Sequence, residues 1–129
     1  MKINFDSLAP VYVQIAEAIE DDIIGGSLAE GGPAYSQLTI ARELSVNPAT
    51  AAKGINVLVA KGILEKQRGS SMLVAYGAQA RLISERKEKN FQELVAGIVS
   101  EARKINLSES DVLAEIKKYY KDMGENHNG

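Results

Sequence analysis

The chain has 129 residues, 45% of them hydrophobic and 25% charged, with a formal net charge of -2. That length confines it to one compact domain or two small ones and excludes a large multidomain enzyme. With no cysteine there is no disulfide, thiolate metal site or cysteine nucleophile, and the single histidine, His127, stands in a polar C-terminal tail, so little is at hand for catalysis or metal binding.

The apolar runs fall well short of the roughly 20 residues needed to cross a bilayer. The opening Met1-Lys2-Ile3-Asn4-Phe5-Asp6 lacks the charged-then-apolar order of a signal peptide. A cytoplasmic protein without membrane association is the expectation. The acidic total conceals a gradient: residues 1–33 sum to -5, residues 34–76 to +3 through Arg42, Lys53, Lys61, Lys66 and Arg68, and the remainder balances. The basic middle third is where a polyanion would be met.

In chain order, Val11, Ile15, Ile19 and Ile23 recur every four residues and predict a helix over 10–24, opened by Pro10 and stopped by Gly25-Gly26. Glu17, Glu20, Asp21 and Asp22 read as its solvated face. After a turn at Gly31-Gly32-Pro33, Ser36 can cap a short helix to about Leu44, with Leu38, Ile40, Ala41 and Leu44 as apolar positions. Asn47 is a good N-cap and Pro48 suits the first helical position, so a further helix runs to Lys61, with Gly62 just beyond it. Only Ser45, Val46 and Asn47 separate these two helices, the spacing of a helix-turn-helix. On the second helix Ala51, Ile55, Leu58 and Val59 face a core. Ala49, Thr50, Lys53 and Asn56 are left on a small, polar, cationic face that suits a DNA major groove.

The period then changes to that of strands: Ile63–Gln67, a tip Arg68-Gly69-Ser70-Ser71, and Met72–Tyr76 form a β-hairpin. Behind a helix-turn-helix this hairpin is a wing, which brings Arg68 and the amides near Gly69 toward phosphates or the minor groove. From Ala78 a long helix begins, polar on every side over residues 84–90. Phe91, Leu94, Val95, Ile98, Val99, Ala102 and Ile105 follow as an apolar stripe. Asn106 stops that helix, a Ser108-x-x-Asp111 box starts the next, and Val112, Leu113, Ile116, Tyr119, Tyr120 and Met123 form a second stripe. Two helices cannot bury two such stripes alone, so a partner is expected, most simply an identical chain.

Pro10-Val11-Tyr12-Val13-Gln14-Ile15, Gly26-Ser27-Leu28, Val46-Asn47-Pro48-Ala49-Thr50-Ala51-Ala52-Lys53, and Lys61-Gly62-Ile63-Leu64-Glu65 with Arg68-Gly69 occur in an order and spacing that resembles the GntR family of bacterial transcription regulators, in its short YtrA-type branch. The resemblance spans nearly the whole chain. It implies a mostly α fold with a small β-hairpin: a winged helix-turn-helix over 1–76 for DNA binding and a two-helix dimerisation unit over 77–129. The implied DNA-contact positions are Ser36, Asn47, Thr50, Lys53, Arg68, Gly69 and Ser70, with Ala49 close to the bases. The expected dimer interface holds Phe91, Leu94, Val95, Ile98, Ile116 and Tyr120. The chain departs from the family pattern at Ala34-Tyr35-Ser36, where Leu-Pro-Ser is usual, at Gln37-Leu38, where an arginine is common, and at Ser71 in the wing, where glycine is common. The resemblance implies a homodimeric repressor that binds double-stranded DNA at an inverted repeat, with no cofactor and no enzymatic activity. A winged-helix module that binds protein instead of DNA is the alternative.

Overall fold

The computed structural model describes residues 1–69 and 71–127. They fall into two compact units, Met1–Glu85 and Arg86–Gly129. The first holds α1 (Val11–Ile24), α2 (Gln37–Leu44), α3 (Pro48–Ala60), the strands β1 (Leu64–Lys66) and β2 (Met72–Val74), and α4 (Ala78–Glu85). The second holds a π-helical turn (Arg86–Asn90), α5 (Phe91–Lys104) and α6 (Glu109–His127). Among the described residues no helix is long and apolar enough to cross a membrane.

The core of the first unit is built by the predicted stripes. Ile15, Ile19 and Ile23 of α1, Ile40 of α2, and Ala51, Ile55 and Leu58 of α3 are buried together with Ile63, Leu64, Val74, Ala78 and Leu82. Each large aliphatic side chain so buried contributes about 1.5–3 kcal/mol. Pro10, with φ -57°, is the N-cap of α1 and not its first residue, and Gly26 at φ +87° takes the chain away from the helix end. The short turn between α2 and α3 is a helix C-cap: Ser45 is left-handed (φ 53°), and the Val46 amide donates to the Ala41 carbonyl at 3.1 Å.

Four expectations are corrected. Glu20, assigned to a solvated face, is only 9% exposed, and its Oε2 accepts from Lys61 Nζ at 2.8 Å. Burying that carboxylate is tolerable because an ammonium from the end of α3 meets it. Leu38, assigned to the apolar side of α2, is 62% exposed. It lies about 200° around the helix from the buried Ile40, so it faces away from the core. Residues 31–34 are more than a turn: Gly31 donates to the Val74 carbonyl at 2.7 Å, Val74 to that of Gly32 at 2.9 Å and Ala34 to that of Met72 at 2.8 Å. The hairpin strands pair Leu64 with Val74 and Lys66 with Met72, so β2 runs between β1 and this strip. Finally, α4 packs into the first unit through Ala78 and Leu82, so that unit closes at Glu85 and not at Tyr76.

In the second unit the capping box forms as predicted: the Asp111 amide donates to Ser108 Oγ at 3.1 Å, and the Ser108 amide to Asp111 Oδ2 at 2.9 Å. The Ser108 amide, and after it the Ser108 hydroxyl, hold the Asp111 carboxyl below the ordinary carboxylate range. The end of α5 is equally well made. Asn106 is left-handed (φ 60°), and the Leu107 amide donates to the Ala102 carbonyl at 2.8 Å. Among the described residues of this unit Ala102 alone is buried.

Candidate nucleic-acid interface

Two caps set the direction of the helix-turn-helix. Ser36 Oγ accepts from the Thr39 amide at 3.1 Å and donates its own proton to Thr39 Oγ1 at 2.9 Å. Of this pair, Thr39 keeps the hydroxyl proton that an outside acceptor could use. Asn47 Oδ1 accepts from the Ala49 amide at 2.8 Å, which starts α3 where the sequence places it. Asn47, Ala49, Lys53 and Asn56 are exposed and Thr50 is half-buried, so the predicted polar face is presented on one side of α3 while Ala51, Ile55 and Leu58 hold the other side in the core.

Lys53 Nζ lies 4.0 Å from the centre of the Tyr12 ring on α1. The sequence gives no sign of this pairing. It depends on how closely α1 and α3 cross, and Gly54 permits that approach: a Cβ there would stand 2.8 Å from Ile15 Cγ2 and 3.0 Å from the Tyr12 carbonyl oxygen.

The wing is held at its base. β2 is paired on both edges, and the Gln67 amide donates to the Ser71 carbonyl at 3.0 Å beyond the last strand pair. Arg68 and Gly69 are exposed at the tip. Gly69 has φ +77°, and a Cβ on it would meet nothing within 4 Å, so its conformation and not crowding calls for glycine. Ser70 lies outside the described residues. The exposed Leu38 stands on the first turn of α2, where the family pattern commonly has an arginine.

Side-chain bonds lock the frame that carries this surface. Tyr35 donates its hydroxyl to Asp22 Oδ2 at 2.6 Å, tying the approach to α2 onto α1. That bond, with burial and the Asp22 charge, pushes the Tyr35 phenol up to about 12. Lys61 bridges Glu20 at 2.8 Å and Glu85 at 3.5 Å. Burial alone would lower its pKa, but the bond to Glu20 and the two acidic charges outweigh this and hold the ammonium above its ordinary range. Glu30 accepts from the Gln79 amide at 2.9 Å, and Gln79 Nε2 donates to the Ile24 carbonyl at 3.0 Å, which fixes the start of α4.

The residues expected in a dimer interface lie in the second unit. Phe91, Leu94, Val95, Ile98, Ile116 and Tyr120 are between 37% and 77% exposed. Ile98, Ala102, Ile105, Ile116, Tyr119 and Met123 line an open cleft of about 730 Å³ between α5 and α6.

No family model matches the chain. Solved structures do. YtrA from Sulfolobus acidocaldarius, a GntR-family transcription factor, is 26% identical, with a TM-score of 0.56 over 96% of this chain and 99% of its own. The DNA-binding domain of AraR, solved in complex with operator ORX1, is 25% identical, with a TM-score of 0.52 over 58% of this chain and 93% of that one. A transcriptional regulator assigned to the GntR family from Bacteroides thetaiotaomicron is 30% identical, with a TM-score of 0.63 over 91% of this chain and 98% of its own. On the strength of that last match, together with the winged helix-turn-helix described above, the chain belongs to the GntR family of transcriptional regulators.

Proposed function

We propose that the protein is a sequence-specific DNA-binding regulator that acts as a homodimer on an inverted repeat, and as a repressor. The observation that carries the DNA-binding part is the exposed face of Asn47, Ala49 and Lys53 on a helix held by its cap, with the exposed Arg68 and Gly69 of an anchored wing. Short side chains at Ala49 and Thr50 let the helix enter a major groove, and the wing brings a guanidinium to the backbone or minor groove alongside. The likeness to a domain solved on its operator supports the same docking.

Homodimerisation is supported by the apolar faces of α5 and α6, which their own unit leaves uncovered. Two linked DNA-binding units would set recognition helices roughly 34 Å apart, about one turn of B-DNA. A polar π-helical turn, Arg86–Asn90, opens the second unit of each chain.

The test is selection of binding sites from a random duplex pool, followed by titration of the selected duplex at several salt concentrations with wild type, Lys53→Ala and Arg68→Ala. An inverted repeat should emerge. Each variant should lose about 1–3 kcal/mol where a base edge is read, or show a shallower salt dependence where a phosphate is held. Failure to enrich any sequence, with unchanged titrations for both variants, would overturn the reading and leave a protein-binding winged helix as the alternative.

A further inference from the structure

Lys53 stands on the exposed face of α3, yet its ammonium rests on an aromatic ring. Nζ is 4.0 Å from the Tyr12 ring centre, well inside the ~6 Å over which the negative face of an aromatic ring attracts a cation. Tyr12 belongs to the first turn of α1 and is half-buried, so its ring is a fixed platform beside a long, flexible side chain. The pairing is a consequence of the helix crossing, because Gly54, the next residue after Lys53, is where α3 meets the Tyr12 carbonyl and Ile15.

We propose that Tyr12 is a positioning residue for DNA binding, holding the Lys53 ammonium at the flank of α3 where it meets a backbone phosphate and not a base edge. The proposal rests on the DNA-binding reading above. Ala49 and Thr50 occupy the first turn of α3, the end that approaches the groove floor in helix-turn-helix docking, while Lys53 follows in the second turn and is drawn sideways toward α1. A cation drawn off the helix axis sits at the rim of the groove, and the rim is phosphate. With one side of the ammonium against the ring, its N–H donors remain for an anion on the other side. The ring restricts the lysine before DNA arrives, so less freedom is lost on binding.

The test joins two readouts on the full-length protein. In the free protein, NMR should show the Lys53 Hε protons shifted upfield by the Tyr12 ring in wild type and in Tyr12→Phe, and unshifted in Tyr12→Leu. In titrations with a random-sequence duplex at low salt and with the selected duplex, Tyr12→Leu should weaken both by the same factor, about two- to fivefold per DNA-binding unit. Tyr12→Phe should stay close to wild type. In a Lys53→Ala background Tyr12→Leu should have no further effect, because the ring then has nothing to hold. Tyr12→Met, which fills the space with a flexible apolar chain, replaces Tyr12→Leu if the latter melts early.

A loss with Tyr12→Phe as large as with Tyr12→Leu, a Tyr12→Leu loss that persists without Lys53, or a loss confined to the selected sequence would each overturn the proposal. If the wild type binds neither duplex, the proposal falls with the DNA-binding reading, and an intact ring shift at Lys53 identifies that reading, not the contact, as what failed.

Discussion

Replacing Gly54 with alanine sets two effects against each other. Alanine is the better helix former by about 1 kcal/mol, but its Cβ would stand 2.8 Å from Ile15 Cγ2 and 3.0 Å from the Tyr12 carbonyl. Neither neighbour can retreat cheaply, since Ile15 is fully buried and the carbonyl is part of α1. Overpacking of this kind costs about 1–3 kcal/mol, so Gly54→Ala should lower stability in urea titration despite the gain in helix propensity. Asn47→Ala removes the acceptor at the start of α3 and should cost about 1 kcal/mol by the same measurement. Tyr35→Phe deletes the bond to Asp22 and should cost about 1–2 kcal/mol near neutral pH. Because the folded phenol is raised to about 12 from 10.0, that contribution is complete below pH 10 and disappears as pH rises through 12. Phenolate absorbance in an alkaline titration should therefore show a component near pH 12 that Tyr35→Phe lacks. The caps at Ser36, Asn47 and Ser108 were legible in the sequence because each bond joins a side chain to a backbone amide two or three residues on. The bonds from Tyr35 to Asp22 and from Lys61 to Glu20 were not, because they link residues 13 and 41 positions apart that only the packed core brings together.

At the scale of elements, the sequence placed the starts of α1, α2 and α3 to within a residue, since an apolar period, a cap or a proline marked each. It misplaced the end of that unit. In the sequence the end of the hairpin at Tyr76 reads as its limit, and α4 beyond it offers only a few apolar positions. Ala78 and Leu82 are nevertheless in the core, and Gln79 is bonded to Glu30 and to the Ile24 carbonyl. A fragment of residues 1–85 should therefore fold, and one of residues 1–76 should melt several degrees lower or fail to fold. Leu82→Ala in the longer fragment should cost about 2–5 kcal/mol, read by thermal denaturation monitored by circular dichroism. The pairing of residues 31–34 with β2 was also hidden, for a different reason. It is made by main-chain groups, and a Gly-Gly-Pro sequence advertises a turn, not a strand neighbour. Its effect on the interface is direct, because a β2 paired on both edges holds the wing from its base.

For the whole molecule, charge and hydrophobicity are distributed in opposite ways. The basic third of the sequence carries the candidate contact surface, and the uncovered apolar faces are concentrated in the second unit. If those faces pair two copies, a carboxylate among them is intolerable. Ile98→Glu or Ile116→Glu should yield monomers in sedimentation velocity and lose affinity for an inverted-repeat duplex far more than for a half-site, because the second half-site is no longer tethered to the first. Wild type sedimenting as a monomer at micromolar concentration would oppose this. The solitary burial of Ala102 among the described residues of this unit carries a further consequence. If a helical pair with so little interior of its own is stabilised by pairing with a second copy, mass action governs when it melts. Calorimetry over a dilution series should show two transitions: that of Met1–Glu85 fixed in temperature, and that of the C-terminal helices moving downward with each dilution.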